Sequence, residues 1–186
     1  MTARKPGRPA NKQPVVSPED ITRHALALLD QEGASGLSLR KIAAAMGVTP
    51  MALYRYVDGR SALVASLLDS ILAPVQLPPE GGSPLAALTE FLEAYGAAVT
   101  HHPHVFISFF SQQEARSAEA QRITAELTGL LEQTGLSPQE AQMTRDILVD
   151  HAHGHAISIA LARAGADPTA DYRGTIRFLL GRLIRG

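Results

Sequence analysis

The chain contains no cysteine among its 186 residues. That excludes a disulfide framework, a thiolate zinc site, an iron–sulfur cluster and a cysteine nucleophile. No apolar run approaches the roughly 20 residues of a membrane helix. Met1 to Lys12 is basic, but no apolar stretch of the secretory kind follows it. No Gly-x-Ser-x-Gly elbow or phosphate-binding loop is present, and no acid–base pair stands out. Beyond the first residues there is no repeat and no low-complexity tract. A soluble, cytoplasmic protein that is not an enzyme, uses no cofactor and has no membrane partner is expected.

What is present is a globular composition, 45% hydrophobic and 19% charged. The net charge of −1 hides a division. Residues 1–60 hold nine Lys and Arg against five Asp and Glu, and residues 61–186 hold eight against thirteen. A basic first third suits a polyanion-binding module joined to something else, although a few residues would erase the contrast. Residues 1–16, with Arg4, Lys5, Arg8 and Lys12, bury too little to order themselves and read as a flexible basic arm. In Gly7-Arg8-Pro9 a cation rides on a thin backbone. That suits the minor groove of A·T-rich DNA as well as a solvated tail.

Period and punctuation predict helices throughout. Ser17-Pro18 opens one whose face is Ile21, Ala25, Leu28 and Leu29, ended by Gly33 and Gly36. Ser38 opens a second, with Leu39, Ile42, Ala43 and Met46 inward, stopped by Gly47. Thr49-Pro50 opens a third of about eight residues, with Leu53 and Val57 inward. A fourth carries Leu63, Leu67, Ile71 and Leu72. The proline-rich stretch 74–84 is the clearest break. Further helices follow from Ser83-Pro84, after Pro103, near 117–133, from Ser137-Pro138 to about Ala164, and from Asp167-Pro168 to near the end. His104 to Phe110 alternates weakly enough to pass for a strand, but a lone strand has no partner, so a helix is expected. The prediction is an all-α chain of about nine helices. It divides into the arm, a helix-turn-helix module over 17–62, and a helical effector-binding and dimerisation module over 63–186.

Short helices joined by a glycine-bearing turn form a helix-turn-helix pattern, which small bundles also show. Opposite Leu53 and Val57, the third helix presents Thr49, Pro50, Met51, Tyr54 and Arg55. Small and apolar contacts followed by a phenol and a guanidinium suit a major groove.

These residues carry a resemblance. The run Leu37-Ser38-Leu39-Arg40-Lys41-Ile42-Ala43, then Met46-Gly47-Val48-Thr49, Ala52-Leu53-Tyr54-Arg55-Tyr56-Val57, Arg60 and Leu63 resembles the DNA-binding domain of TetR-type regulators over about residues 17–72. The resemblance implies a homodimer reading a palindromic double-stranded operator, and a repressor released by a small-molecule effector. It implies a base contact for Arg40 and phosphate contacts for Ser38, Tyr54 and Arg60. Thr49, Pro50, Met51 and Ala52 match base-edge positions. Pro50 stands where a polar reader is usual, Arg55 where an aromatic is common, and Tyr56 where His or Tyr is usual, so no relative's operator can be carried over.

In the second module Phe91, Tyr95, Phe106, Phe109, Phe110, Met143, Ile147 and Ile157 suit a core or a pocket wall. Tyr95, His102, Phe106, Met143, Asp150 and His151 are the expected effector contacts. In one branch of the family the effector carries a metal, and His102 matches a His that meets it. Leu161 and Arg163 occupy the place where a matching carboxylate would fall. The clusters His101/His102/His104 and His151/His155, the latter at i and i+4, leave a metal-dependent enzyme as the alternative and a helical scaffold as a third reading.

Overall fold

The computed structural model describes residues 16–79, 81–112, 115–161 and 170–184. Among them are nine α-helices and a short 3-10 turn, Gly33–Gly36, and no strand. The helices are α1 (Pro18–Glu32), α2 (Leu39–Ala45), α3 (Pro50–Leu53), α4 (Gly59–Leu72), α5 (Pro84–His101), α6 (Pro103–Phe110), α7 (Ala118–Glu132), α8 (Pro138–Leu161) and α9 (Ala170–Leu183). The fold is all-α, as the sequence predicts. The basic arm lies outside the described residues, apart from its last residue, Val16.

Local chemistry explains the helix starts. The hydroxyl of Ser17 accepts from Asp20 N at 3.1 Å, Ser83 from Ala86 N at 3.2 Å and Ser117 from Ala120 N at 3.0 Å. At Ser137 the capping box closes: Glu140 takes both the backbone N–H and the hydroxyl of Ser137. Gly47 ends the second helix region at φ 68°, where a side chain would be strained. The ambiguous segment after Pro103 is helical. The third helix is shorter than predicted, closing after four residues. Tyr54 to Val57 continue as a turn in which Leu53 O accepts from both Tyr56 N and Val57 N.

One apolar core runs through the described chain, with Ile21, Leu53, Leu63, Phe91, Leu127 and Leu148 among its buried members. In α4, residues 63–65, 67, 68, 71 and 72 are all buried. A helix covered on that many sides has neighbours all round, and here α1 flanks it on one side and α6 and α7 on the other. The proposed module boundary at 62/63 thus falls inside α4, the helix shared by the N-terminal head and the rest. One further contact joins the parts, His102 Nδ1, before α6, lying 3.3 Å from Asp30 Oδ1 at the end of α1. Within the head, Arg60 donates to Leu37 O at 2.7 Å.

Helix α5 is the central post, with α7, α8 and α9 against it. Gly96 is what lets α9 approach. The ring of Tyr172 fills the space beside it so closely that an added Cβ would lie 2.0 Å from Tyr172 Cε1. The Tyr172 hydroxyl donates to Leu92 O at 3.1 Å, one turn earlier on α5.

Candidate nucleic-acid interface

The head holds the residues expected to meet DNA. Ile42, Ala43, Leu53 and Val57 are buried in the core, with α2 packed on α1 and α3 on α2. Opposite them Arg40, Thr49, Met51, Tyr54, Arg55 and Tyr56 are exposed, and Ser38, Pro50 and Ala52 half-buried. Met51 is 71% exposed and Tyr54 55%, a large apolar area to leave in water. Tyr56 joins this surface at 45% exposure. Spacing points to it only as a position in the motif.

The polar groups of this surface are uncommitted, and that separates it from the rest of the molecule. Ser17, Ser83, Ser117 and Ser137 use their hydroxyls as helix caps, whereas the N-cap residues Ser38 of α2 and Thr49 of α3 make no side-chain cap bond. Elsewhere several arginines are held by carboxylates, Arg23 by Asp20, Arg122 by Glu119 and Glu126, Arg145 by Asp146 and Arg177 by Glu93, while Arg182 lies over the Phe178 ring. Among the described residues Arg40 and Arg55 have no such partner. A cation left unpaired on a surface costs little in water and is ready for a phosphate or a guanine edge. Two neighbouring cations are already engaged. Lys41 is bonded to Glu32 and to Ser35 O, and Arg60 to Leu37 O and Ala34 O. Arg60 ties α4 to the segment before α2, a role that the sequence does not suggest. Arg8 lies outside the described residues.

The six expected effector contacts are not brought to one cavity. Tyr95 and Phe106 are buried and meet edge to face with centroids 6.5 Å apart. His153 completes their cluster: Nε2 lies 2.6 Å from the Tyr95 hydroxyl, and its ring packs on Phe106 and Phe110. His102 instead faces Asp30. Met143 and Asp150 are exposed on the outer side of α8. His151 stacks on Tyr172, centroids 5.7 Å apart and rings 4° from parallel. The reason is helical phase: His151 and His153 point about 200° apart on an α-helix, so near neighbours in sequence serve different faces. Nor do the two histidine clusters gather as metal ligands would. Among the described residues no group of three or more His, Asp and Glu could hold an ion.

Burial holds the His153 imidazole below its usual pKa, with Asp150 opposing weakly. Burial also raises the Tyr95 phenol, so the phenol stays protonated and donates to a neutral Nε2. The folded state thus binds the His153 proton less readily than the unfolded chain. Stability from this group is fully present above the unfolded value of about 6.5 and is lost as pH falls through the lower folded value. Thermal midpoints measured from about pH 8 to pH 5 should fall at the acid end, and His153→Gln should flatten that fall. An equally steep profile in the variant would show that another group is responsible.

A wide cleft of about 720 Å³ lies at the end of α6, along α7 and beside Arg145 of α8. Phe109 and Phe110, singled out from the sequence as pocket candidates, line it. No helix among the described residues is long and apolar enough to cross a membrane.

Comparison with known proteins places this geometry. Residues 21–67 match the family model described as bacterial regulatory proteins, tetR family. DrrR1, an HTH-type transcriptional repressor of Streptomyces coeruleorubidus, is 34% identical over 104 residues, 55% of this chain and 38% of that one. The chain spans well under half the length of the curated relatives it matches. Among solved structures, Mycobacterium smegmatis BioQ superposes with a TM-score of 0.77 at 20% identity, covering 92% of this chain and 99% of that one. BioQ bound to its double-stranded DNA operator gives 0.74 at 21%, over 92% and 100%. At such identities the likeness speaks for the fold, while the sequence match falls on the helices that carry the uncommitted polar groups. Over residues 21–67 the chain is thus similar to the tetR family of bacterial regulatory proteins.

Proposed function

We propose that this chain is a homodimeric DNA-binding transcriptional repressor, released from a palindromic operator by a small-molecule effector. The observation that carries the reading is the surface of α2 and α3, where Arg40 and Arg55 are unpaired and Ser38 and Thr49 make no cap bond. Arg40 is assigned to a base edge, since its planar fork can meet guanine bidentately. Thr49, Pro50, Met51 and Ala52 are assigned to base edges too, and Ser38, Tyr54 and Arg55 to the backbone. Arg60 would reach phosphate only by leaving its carbonyls. Residues 17–62 act as the DNA-reading module and the arm as an accessory contact. A chain of this kind works in the cytoplasm, without cofactor and without catalysis. Selection from a random duplex library by the full chain tests this: an inverted repeat should be enriched, and a pool that stays random would reject the reading.

Dimerisation is supported by the outer faces of α8 and α9. Met143, Ile147 and Leu161 lie exposed along α8, which at 24 residues is about 36 Å long. Phe178 is 61% exposed on α9, with Gly154 on α8 and Gly174 on α9 leaving room for a close neighbour. The same pair from a second copy would complete a four-helix interface. Light scattering at micromolar concentration should give a dimer, and Ile147→Glu with Phe178→Glu should give a folded monomer. A wild-type monomer would contradict the assignment. One rotation axis then sets the spacing of two heads, which DNA requires at roughly 34–36 Å or a multiple.

A further inference from the structure

We propose that the groove between α1 and α4 is a docking site for this chain's own basic arm, which occupies it in the absence of DNA and leaves it for a duplex. The docking itself does not depend on the repressor reading; only its consequence at DNA does.

The groove opens to solvent, has a volume of about 810 Å³, and is lined by none of the residues assigned to DNA. Its apolar strip is Pro18, Leu26 and Ala27 of α1 with Ala73 at the end of α4. Leu26 packs on the core, and the Ser66 hydroxyl is turned back onto Ala62 O at 3.0 Å, so its proton is already engaged. Carboxylates border the strip: Glu19 and Asp30 on α1, Asp69 on α4 and Glu119 on α7. Among the described residues the lining holds a single cation, Arg23, and it is bonded to Asp20. Glu119 is paired with Arg122 at 2.7 Å, and Asp30 meets His102 at 3.3 Å. Asp69 receives only neutral donors, the Ser117 hydroxyl at 2.6 Å and Glu119 N at 3.1 Å. Glu19 is exposed, and among the described residues no Lys or Arg pairs with it. The groove thus keeps an excess of negative charge that the folded residues do not neutralise.

The arm supplies the complement. Residues 1–15, outside the described residues, contain Arg4, Lys5, Arg8 and Lys12 and no Asp or Glu. They join the fold at Val16, which is buried, and Pro18, two residues on, already lines the groove. So short a tether gives the arm an effective concentration of about millimolar at the groove, and a weak site is then enough. The lengths also agree. In a polyproline conformation, which Pro6, Pro9 and Pro14 allow, Arg8 and Lys12 stand about 12 Å apart. Glu19 and Asp30 are separated by about 16 Å along α1. The surface of α2 and α3, with Arg40 and Arg55 unpaired, repels the arm instead. A duplex reverses that preference, because it carries about one phosphate charge per 1.7 Å of axis and draws the arm away.

The chain has no cysteine, so two introduced thiols report proximity without background. The full chain carrying Asn11→Cys and Ala27→Cys should close an intrachain disulfide under diamide. Closure should be at least tenfold faster than with Asn11→Cys and Ala45→Cys, the latter exposed on α2 outside the groove. Ser70→Cys, across the groove on α4, replaces Ala27→Cys if that variant misfolds. Glu19→Lys should slow closure in the groove at least threefold, and 1 M salt should slow it likewise while the Ala45 pair is unchanged. The selected duplex should also slow it, and the oxidised protein should bind that duplex at least fivefold more weakly than the same protein reduced. Equal rates for the groove and Ala45 pairs, or closure indifferent to both Glu19→Lys and salt, would overturn the docking. Disulfides found only at the mass of two chains would also overturn it, because the arm would then belong to a second copy. Fast closure with unchanged duplex affinity would overturn the competition with DNA. If the chain selects no DNA, the repressor reading fails and the closure rates still judge the groove.

Discussion

Replacing Arg40 and Arg55 together by alanine should cut affinity for the selected duplex by at least about 30-fold while leaving the fold untouched. A well-placed arginine contact contributes about 1–3 kcal/mol, and contacts at separate positions on a duplex add approximately. The two effects sum because neither side chain has a partner that the other could inherit. Stability is unaffected for the same reason. An exposed group without a bond or a packing neighbour changes folding by less than about 0.5 kcal/mol when removed, or roughly 1–2 °C in the midpoint for a chain of this length. Salt dependence should also soften, by about one unit of slope for each phosphate that is no longer neutralised. Gel shifts at several salt concentrations, read beside a thermal melt, give both quantities. A drop in affinity accompanied by an equal drop in stability would mean that the two arginines hold the head together instead of holding DNA.

The second large effect concerns two glycines whose replacement by alanine should act in opposite directions. Both sit inside helices, where alanine is favoured by about 1 kcal/mol. At Gly129 nothing lies within 4 Å of an added Cβ, so that gain is kept and the midpoint should rise by about 2–4 °C. At Gly96 the new methyl would lie 2.0 Å from Tyr172 Cε1. The ring must move, and overpacking of this kind costs about 1–3 kcal/mol. Moving it also removes the bond to Leu92 O, about 1 kcal/mol, and the stack on His151. The clash outweighs the propensity gain, and a fall of about 5–10 °C is expected. Because α9 is docked through that ring, Gly96→Ala should also weaken the proposed dimer. A midpoint that rises in both variants would mean that α9 is not seated on α5 as described.

The fold is legible in the sequence wherever the determinant is local. Ser-Pro at 17–18, 83–84 and 137–138 fixes three helix starts through contacts within four residues, and the structure places all three there. The turn at Gly47 and the buried stripe Ile42, Ala43, Leu53 and Val57 are equally local, and they carry the family resemblance. What escapes depends on partners far along the chain. His102 reads as an effector contact because its neighbour Asp30, 72 residues away, leaves no trace in the local pattern. Ser117 and Asp69 are 48 residues apart, and nothing in either segment announces the other. The shortness of α3 escapes for another reason. Tyr54 to Val57 keep helical spacing of apolar residues, and the change from helix to turn is a matter of which amide bonds Leu53 O.

The base contact proposed for Arg40 is what gives the repressor reading its sequence specificity. It is tested most directly by comparing wild type with Arg40→Ala on two duplexes, the selected inverted repeat and a scrambled version of it at the same salt. A base contact predicts a loss of about 1–3 kcal/mol on the repeat and almost none on the scrambled duplex. Equal losses on both would contradict it, leaving Arg40 as one more charge against the phosphate backbone.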